Sequence, residues 1–133
     1  MFKIEGTTIK LTRGDACAFG VGSMKKDGTE HVFNIGDIVR FKVFKNKDCG
    51  CVELQKDITV EAEGTIVDIT LTKEDTKIGD LISKPVTYWY EVELNPETSP
   101  QTIIGYDDIE GAKLFVLYPE GGDKKWYKQR KVW

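Results

Sequence analysis

Strict alternation of side-chain type is the feature that most limits how this chain can fold. Residues 88–94 read YWYEVEL, with an apolar side chain at every second position, and the same period of two occurs at 39–43 and 67–71. Successive side chains of a β-strand point to opposite faces, so this period predicts half-buried strands. The inward set is predicted to include Phe41, Val92 and Leu94, and the outward set Lys42, Glu91 and Glu93.

Seven to nine segments of this kind follow one another at intervals of roughly ten residues, separated by turn signals such as Asp27-Gly28. The best helical candidate is a single turn that begins with the capping pattern Thr72-x-x-Asp75. We therefore predict one all-β domain over residues 1–120, a sandwich or a barrel. Its last two strands, 102–106 and 113–118, are predicted to form a closing hairpin.

Charge is unevenly distributed along the chain. The whole chain carries −3, and residues 121–133 carry +4, which leaves −7 on residues 1–120. An acidic body repels phosphate backbones, so we expect no nucleic-acid partner. No apolar run is long enough to cross a bilayer, so we expect no membrane partner and synthesis in a cytoplasm.

The C-terminal tail, residues 121–133, mixes basic and aromatic residues. Such segments bind nucleic acid, a membrane surface or an acidic patch on a protein, and the tail is too short to choose among these by itself. Docking on the acidic body of a neighbouring copy is at least as good an interpretation. Aromatic residues and arginine concentrate in interface cores, so the predicted partner-contact residues are Trp126, Tyr127, Arg130 and Trp133.

Two short motifs resemble functional sites. Arg13-Gly14-Asp15 spells an adhesion tripeptide, but the favoured interpretation is a turn between strands, with Gly14 in an unusual backbone conformation. Cys49-Gly50-Cys51 resembles half of a metal site, yet only Cys17 and His31 remain to complete it, at spacings that match no zinc pattern. Three is an odd number of cysteines, and we predict three reduced thiols and no bound metal.

A catalytic constellation is not visible in this sequence. His31 is the single histidine and is predicted to be a solvated loop residue, since no nucleophile motif accompanies it. The acidic groups, such as Asp107-Asp108, lack the spacing of a calcium loop, and no glycine-rich phosphate loop is present. We therefore predict no enzymatic activity and no cofactor.

The order of the strand and turn motifs resembles a known family. From residue 4 to residue 118 the chain is similar to the N-terminal domain of phage baseplate upper proteins and related prophage tail proteins. The motifs that carry this resemblance are Ile9-x-Leu11, Thr12-Arg13-Gly14-Asp15, Asp27-Gly28, Ile35-Gly36-Asp37-x-x-x-Phe41-x-Val43, Ile69-x-Leu71, Asp75-Thr76, Tyr88 to Leu94, and Thr102-Ile103-Ile104.

The resemblance implies an immunoglobulin-like antiparallel β-sandwich that serves as a structural module in a virion tail or baseplate. Its implied partners are other tail proteins or copies of itself. Longer members continue into a helical segment and a receptor-binding domain, whereas here the basic tail follows, so we expect a short structural subunit of the virion or a stand-alone prophage protein. In such folds a tyrosine hydroxyl anchors the chain before a core strand, and Tyr88 and Tyr90 are both candidates.

The sequence leaves two functions from different classes open. The first is a non-enzymatic structural or assembly module that acts through protein–protein contacts. The alternative is a carbohydrate-binding module that contacts host cell-wall glycans, with Trp89 and Trp126 as a sugar-stacking platform.

Overall fold

The computed structural model describes residues 1–25, 27–45, 50–106, 108 and 111–120. These residues form nine β-strands and no helix, as the alternation predicts. The strands are β1 (Phe2–Glu5), β2 (Thr8–Thr12), β3 (Cys17–Val21), β4 (Ile38–Phe44), β5 (Val52–Thr59), β6 (Val67–Leu71), β7 (Val86–Leu94), β8 (Gln101–Ile104) and β9 (Lys113–Tyr118).

Two sheets make up the sandwich. The larger has seven strands in the order β1-β2-β9-β7-β4-β5, with β8 on the edge of β7, and the smaller contains β3 and β6. All pairs are antiparallel except β2 with β9, which run parallel. The sheet containing β9, β7, β4 and β5 matches the G, F, C and C′ strands of an immunoglobulin variable-type sandwich, and β3 with β6 matches B and E. The fold is therefore an immunoglobulin-like β-sandwich, as predicted.

One aromatic cluster joins the inner faces of the two sheets. The ring of Phe41 in β4 is fully buried and meets Phe19 of β3 edge-on, with 5.5 Å between ring centroids. On its own sheet Phe41 also lies 5.5 Å from Tyr90 and 6.0 Å from Phe115. The predicted register is confirmed, because Val92 and Leu94 are buried with Phe41 while Lys42, Glu91 and Glu93 lie on the outer face.

The predicted closing hairpin of 102–106 and 113–118 is wrong. Both β8 and β9 pair with β7 instead: Ile104 lies opposite Val92, and Lys113 lies opposite Tyr90. With nine residues, β7 is long enough to hold the two short strands one after the other along a single edge. The turn residues at 107–111, which the hairpin prediction depended on, are only partly within the described residues.

A tyrosine hydroxyl does bond to the backbone, but not in the predicted corner before a core strand: Tyr90 lies inside β7, and its acceptor is 83 residues away in the sequence. The Tyr90 hydroxyl donates to the backbone carbonyl of Thr7 at 2.5 Å, in the turn between β1 and β2. The capping pattern is also confirmed: the Thr72 amide donates to Asp75, and the Asp75 amide donates to the Thr72 hydroxyl. These reciprocal bonds hold one turn after β6, as in a helix capping box.

Candidate binding surface

Arg13 of the adhesion-like tripeptide is engaged inside the protein. Its side chain is 10% exposed, and its guanidinium donates to the carbonyls of Ile78 (3.0 Å) and Gly79 (2.5 Å). It also pairs with the Glu120 carboxylate at 2.5 Å. An integrin-type reader needs a free guanidinium, whereas this one ties the loop after β6 to the end of β9.

The other two residues of the tripeptide form the predicted turn. Gly14 has φ +89°, a conformation that favours glycine. The Asp15 amide donates to the Thr12 carbonyl at 3.0 Å, and the Asp15 carboxylate pairs with the N-terminal amine at 2.6 Å. The turn interpretation is confirmed.

The prediction of three reduced thiols is wrong at Cys51, which is disulfide-bonded. That prediction was based on the odd number of cysteines, which still leaves room for one disulfide; Cys51 lies immediately before β5, which begins at Val52. Cys17 is a free thiol; burial, together with the nearby Asp15 carboxylate, raises its pKa to about 11. Cys49 lies outside the described residues. Among the described residues, no three His, Cys, Asp or Glu side chains come together in a group that could hold a metal ion.

His31 is not the solvated loop residue that the sequence predicts. It is half-buried, and its ring packs edge-on against Phe33 with 4.9 Å between centroids. The Nε2 atom is buried and has no hydrogen-bond partner in the described part of the chain. The loop before β4 therefore belongs partly to the core.

The predicted partner-contact residues all lie outside the described residues: Trp126, Tyr127, Arg130 and Trp133. Of the two tryptophans in the glycan hypothesis, Trp89 is within the described residues. It lies in β7 on the outer face of the seven-stranded sheet and is half-buried. The outer face around Trp89 is therefore the candidate binding surface among the described residues.

Four apolar side chains form a row across this outer face. Phe44 of β4 lies opposite Val52 of β5 and Trp89 of β7, and Trp89 lies opposite Leu114 of β9. A β-bulge beside Phe44 allows Val52 to face outward although Leu54 faces the core. Val52 is 44% exposed, and the other three are half-buried. At normal strand spacing this apolar row is about 14 Å long.

Charged side chains beside the apolar row are already paired with one another. Lys42 contacts Glu93 at 2.8 Å and Glu91 at 3.4 Å, and its ammonium lies 5.4 Å from the centre of the Phe44 ring. Burial lowers the pKa of Lys42, but its bonds and charge interactions with Glu93 and Glu91 outweigh this and raise it. The cation is therefore held in place at the edge of the apolar row.

A second charged group continues this network along β4. Arg40 contacts Asp57 at 2.8 Å and Glu97 at 3.0 Å. The hydrogen bond from Arg40 lowers the pKa of the Asp57 carboxyl below its ordinary value. Together these two cations face four carboxylates, so a partner that covers the apolar row would meet paired charges with a net charge of −2 beside it. A partner with positive charge at this side of the row would be favoured.

A separate cleft of about 580 Å³ opens at one side of the sandwich, next to the turn between β1 and β2. We call it the lateral cleft. Ile9 and Tyr90 form part of its wall. The rest of the lining includes residues 19–22, at the end of β3, and residues 102–106, in β8 and just after it. Within the described residues, β3 pairs with β6 alone and β8 with β7 alone, so each leaves one strand edge without a neighbour.

Comparison with known proteins gives one distant neighbour. No protein-family model and no curated protein matches the chain. A chain in the crystal structure of the CsuC–CsuE chaperone–tip adhesion subunit pre-assembly complex, from archaic chaperone–usher Csu pili of Acinetobacter baumannii, aligns with 14% identity and a TM-score of 0.40. The alignment covers 99% of this chain and 61% of that one. The fold assignment rests on the strand order described above. None of the described residues belongs to a helix that could span a membrane.

Proposed function

We propose that this protein is a non-enzymatic assembly module that binds other protein chains, with the apolar row as the centre of contact. The row of Val52, Phe44, Trp89 and Leu114 is the observation that carries this proposal. Aromatic side chains surrounded by locally satisfied polar groups are the usual hot spots of protein interfaces. Trp89 and Phe44 stand at the middle of the row, and the ion pairs of Lys42 and then of Arg40 follow on one side of it along β4.

The setting that we propose is the tail or baseplate of a bacteriophage or prophage. Two considerations support it: the family resemblance of residues 4–118, and an immunoglobulin-like strand order that suits a structural module. Its partners there are other tail proteins or further copies of the chain, assembled into the virion after synthesis in the host cytoplasm.

The second candidate is a module that binds cell-wall glycans, and the outward position of Trp89 is the observation that favours it. Sugar rings stack on an open aromatic face. Trp89 is half-buried, with Phe44 on the neighbouring strand on one side and Leu114 on the other, and such a continuous apolar strip suits a protein partner better.

The test is co-expression of the chain with the proteins encoded by genes adjacent to its own, followed by size-exclusion chromatography and titration. We expect a stable complex with at least one of them, weakened at least tenfold by Val52→Asp or Trp89→Ser. The matched control is Leu81→Asp, because Leu81 is 74% exposed and lies outside the apolar row. Thermal melts of each variant show whether the fold is retained.

Two results would count against the proposal. The first is a set of neighbouring gene products that never form a complex with the chain. The second is a complex whose affinity is the same in both row variants as in the control. Titration with soluble peptidoglycan fragments tests the second candidate: saturable binding that Trp89→Ser removes would establish glycan binding instead.

A further inference from the structure

We infer that the C-terminal tail, residues 121–133, folds back on its own molecule and adds a third strand to the small sheet, along the free edge of β6. This inference concerns an edge of the small sheet, whereas the proposed function concerns the outer face of the large one. The two therefore stand or fall separately.

The free edge of β6 is where an immunoglobulin sandwich ordinarily has another strand. Within the described residues β6 pairs with β3 alone, so the small sheet has two strands. They match strands B and E, and in immunoglobulin domains strand D pairs with the other side of E. A two-stranded ribbon is marginal by itself, and an unpaired edge offers a row of N–H and C=O groups to an extended segment. The position of strand D is therefore the natural place for an added strand.

A groove of about 290 Å³, which we call the β6 groove, marks this position. It is lined by residues 58–62, at the end of β5 and just after it, and by residues 66–68, just before β6 and at its start. A strand face contributes alternate residues, so successive positions on both sides indicate two strand edges. Ile58 shares the inward parity of Leu54 but is only half-buried, and Ile66 is 60% exposed. An added strand would cover both isoleucines.

Charge makes the tail the matching occupant of the β6 groove. The charged residues that line it are Glu61 and Asp68, and neither makes an ion pair within the described residues. The tail carries +4, whereas residues 1–120 carry −7. The lateral cleft has Lys113 as its charged lining residue and does not attract a basic segment. Opposite charge therefore favours the β6 groove over the lateral cleft as the place where the tail binds.

The tail starts from the end of the sandwich at which β6 ends. Glu120 is paired with Arg13, and the same guanidinium donates to the carbonyls of residues 78 and 79, soon after β6 ends at Leu71. Crossing the two strands of the small sheet takes about 10 Å, and following the five residues of β6 takes about 17 Å. Thirteen extended residues span up to about 45 Å. The tail is therefore long enough to reach the groove and to run antiparallel to β6.

Tethering favours the molecule's own tail over the tail of a second copy. A segment on a short tether competes at an effective concentration of about millimolar, which a second copy reaches only in a very concentrated solution. A tail strand in this position also covers the β6 edge, which would otherwise be a template for edge-to-edge association. We therefore expect the tail strand to form within a monomer.

Amide hydrogen exchange, followed by NMR on the full chain, tests this inference. In an antiparallel pair, alternate amides of a strand face away from the partner strand. A β6 strand that pairs with β3 alone would leave every second amide open to exchange, whereas a tail strand would bond to those amides. We expect successive amides of residues 67–71 to be protected in the unsubstituted chain, at concentrations at which sedimentation velocity shows a monomer.

A charge swap shows whether the tail supplies this protection. The groove variant carries Glu61→Lys and Asp68→Lys, both at exposed positions, and the tail variant carries Lys128→Glu and Arg130→Glu. At low ionic strength we expect alternate amides of β6 to exchange at least tenfold faster in each variant. The chain that carries all four substitutions should regain the protection, because its groove and tail again have opposite charge.

The matched control reverses two exposed carboxylates outside the groove, Asp80→Lys and Asp108→Lys, and should leave the exchange rates unchanged. Thermal melts show that each variant keeps its fold. The inference is overturned if alternate amides of β6 exchange freely in the unsubstituted chain, if either variant exchanges like the control, or if the charge swap restores nothing. Protection that appears only at concentrations at which the chain dimerises would overturn it as well. Failure here leaves the proposed function untouched, since its test depends on Trp89 and Val52.

Discussion

Replacement of Phe41 by alanine removes the side chain that connects the two sheets. The Phe41 ring is fully buried and contacts the rings of Phe19, Tyr90 and Phe115 at 5.5 to 6.0 Å between centroids. Truncation of a buried phenylalanine costs about 3–5 kcal/mol, and each aromatic pair adds about 0.5–1.5 kcal/mol beyond the buried area. Because three pairs are lost together, we expect a loss near the upper end, about 4–5 kcal/mol.

Urea unfolding followed by circular dichroism measures this loss as the change in the free energy of unfolding. The control is Thr70→Ala, at an exposed outward position of β6, where we expect a change within about 0.5 kcal/mol. A domain of this size is stabilised by only about 5–15 kcal/mol, so Phe41→Ala should leave a barely folded protein. A loss below about 1 kcal/mol, or equal effects of the two substitutions, would show that Phe41 does not bridge the sheets.

Three further predictions follow from individual contacts. Arg13→Met removes hydrogen bonds from a charged donor to the partly buried carbonyl of Ile78 and the exposed carbonyl of Gly79, and should lower the free energy of unfolding by about 1–2 kcal/mol; an unchanged melting temperature would refute this role. Burial raises the pKa of the Asp75 carboxyl, but hydrogen bonds from Thr72 and Lys56 outweigh this effect, so the pKa is lowered in the folded protein. The ionised carboxylate therefore stabilises the fold above the unfolded pKa of 3.8, and this stabilisation is lost as the pH falls through the lowered pKa of the folded state. Asp75→Asn should therefore destabilise the protein at pH 6 more than at pH 3 in urea titrations, and an equal effect at both would contradict the linkage. In denaturant without reductant, iodoacetamide should modify Cys17 but not Cys51, which mass spectrometry of peptides reads directly; modification of Cys51 would disprove its disulfide.

Local alternation was sufficient to predict the strands and their inward faces. The period of two around Phe41 and Val92 identifies which side chains are buried, because a slip of one residue would move every apolar side chain into water. Which strands pair with one another depends on long-range topology instead. The parallel pairing of β2 with β9 and the shared use of β7 by β8 and β9 join segments far apart in sequence, and no local pattern encodes them.

The candidate surface was only partly visible in the sequence for the same reason. Trp89 stands out as an aromatic residue at an outward position, and Phe44 and Leu114 carry the same signal at the outward parity of their own strands. Their assembly into one row depends on the register between strands, including the β-bulge that turns Val52 outward. That register is a property of the folded sheet.

The environment of Trp89 during complex formation is the most direct test of the central claim that the apolar row binds protein. The chain is labelled with 5-fluorotryptophan, and the signal of Trp89 among the three tryptophans is assigned with Trp89→Phe and followed by fluorine NMR. We expect the Trp89 signal to shift or broaden when a partner protein binds, and to stay unchanged with soluble glycan. A complex that forms while the Trp89 signal keeps its position and width would contradict the claim.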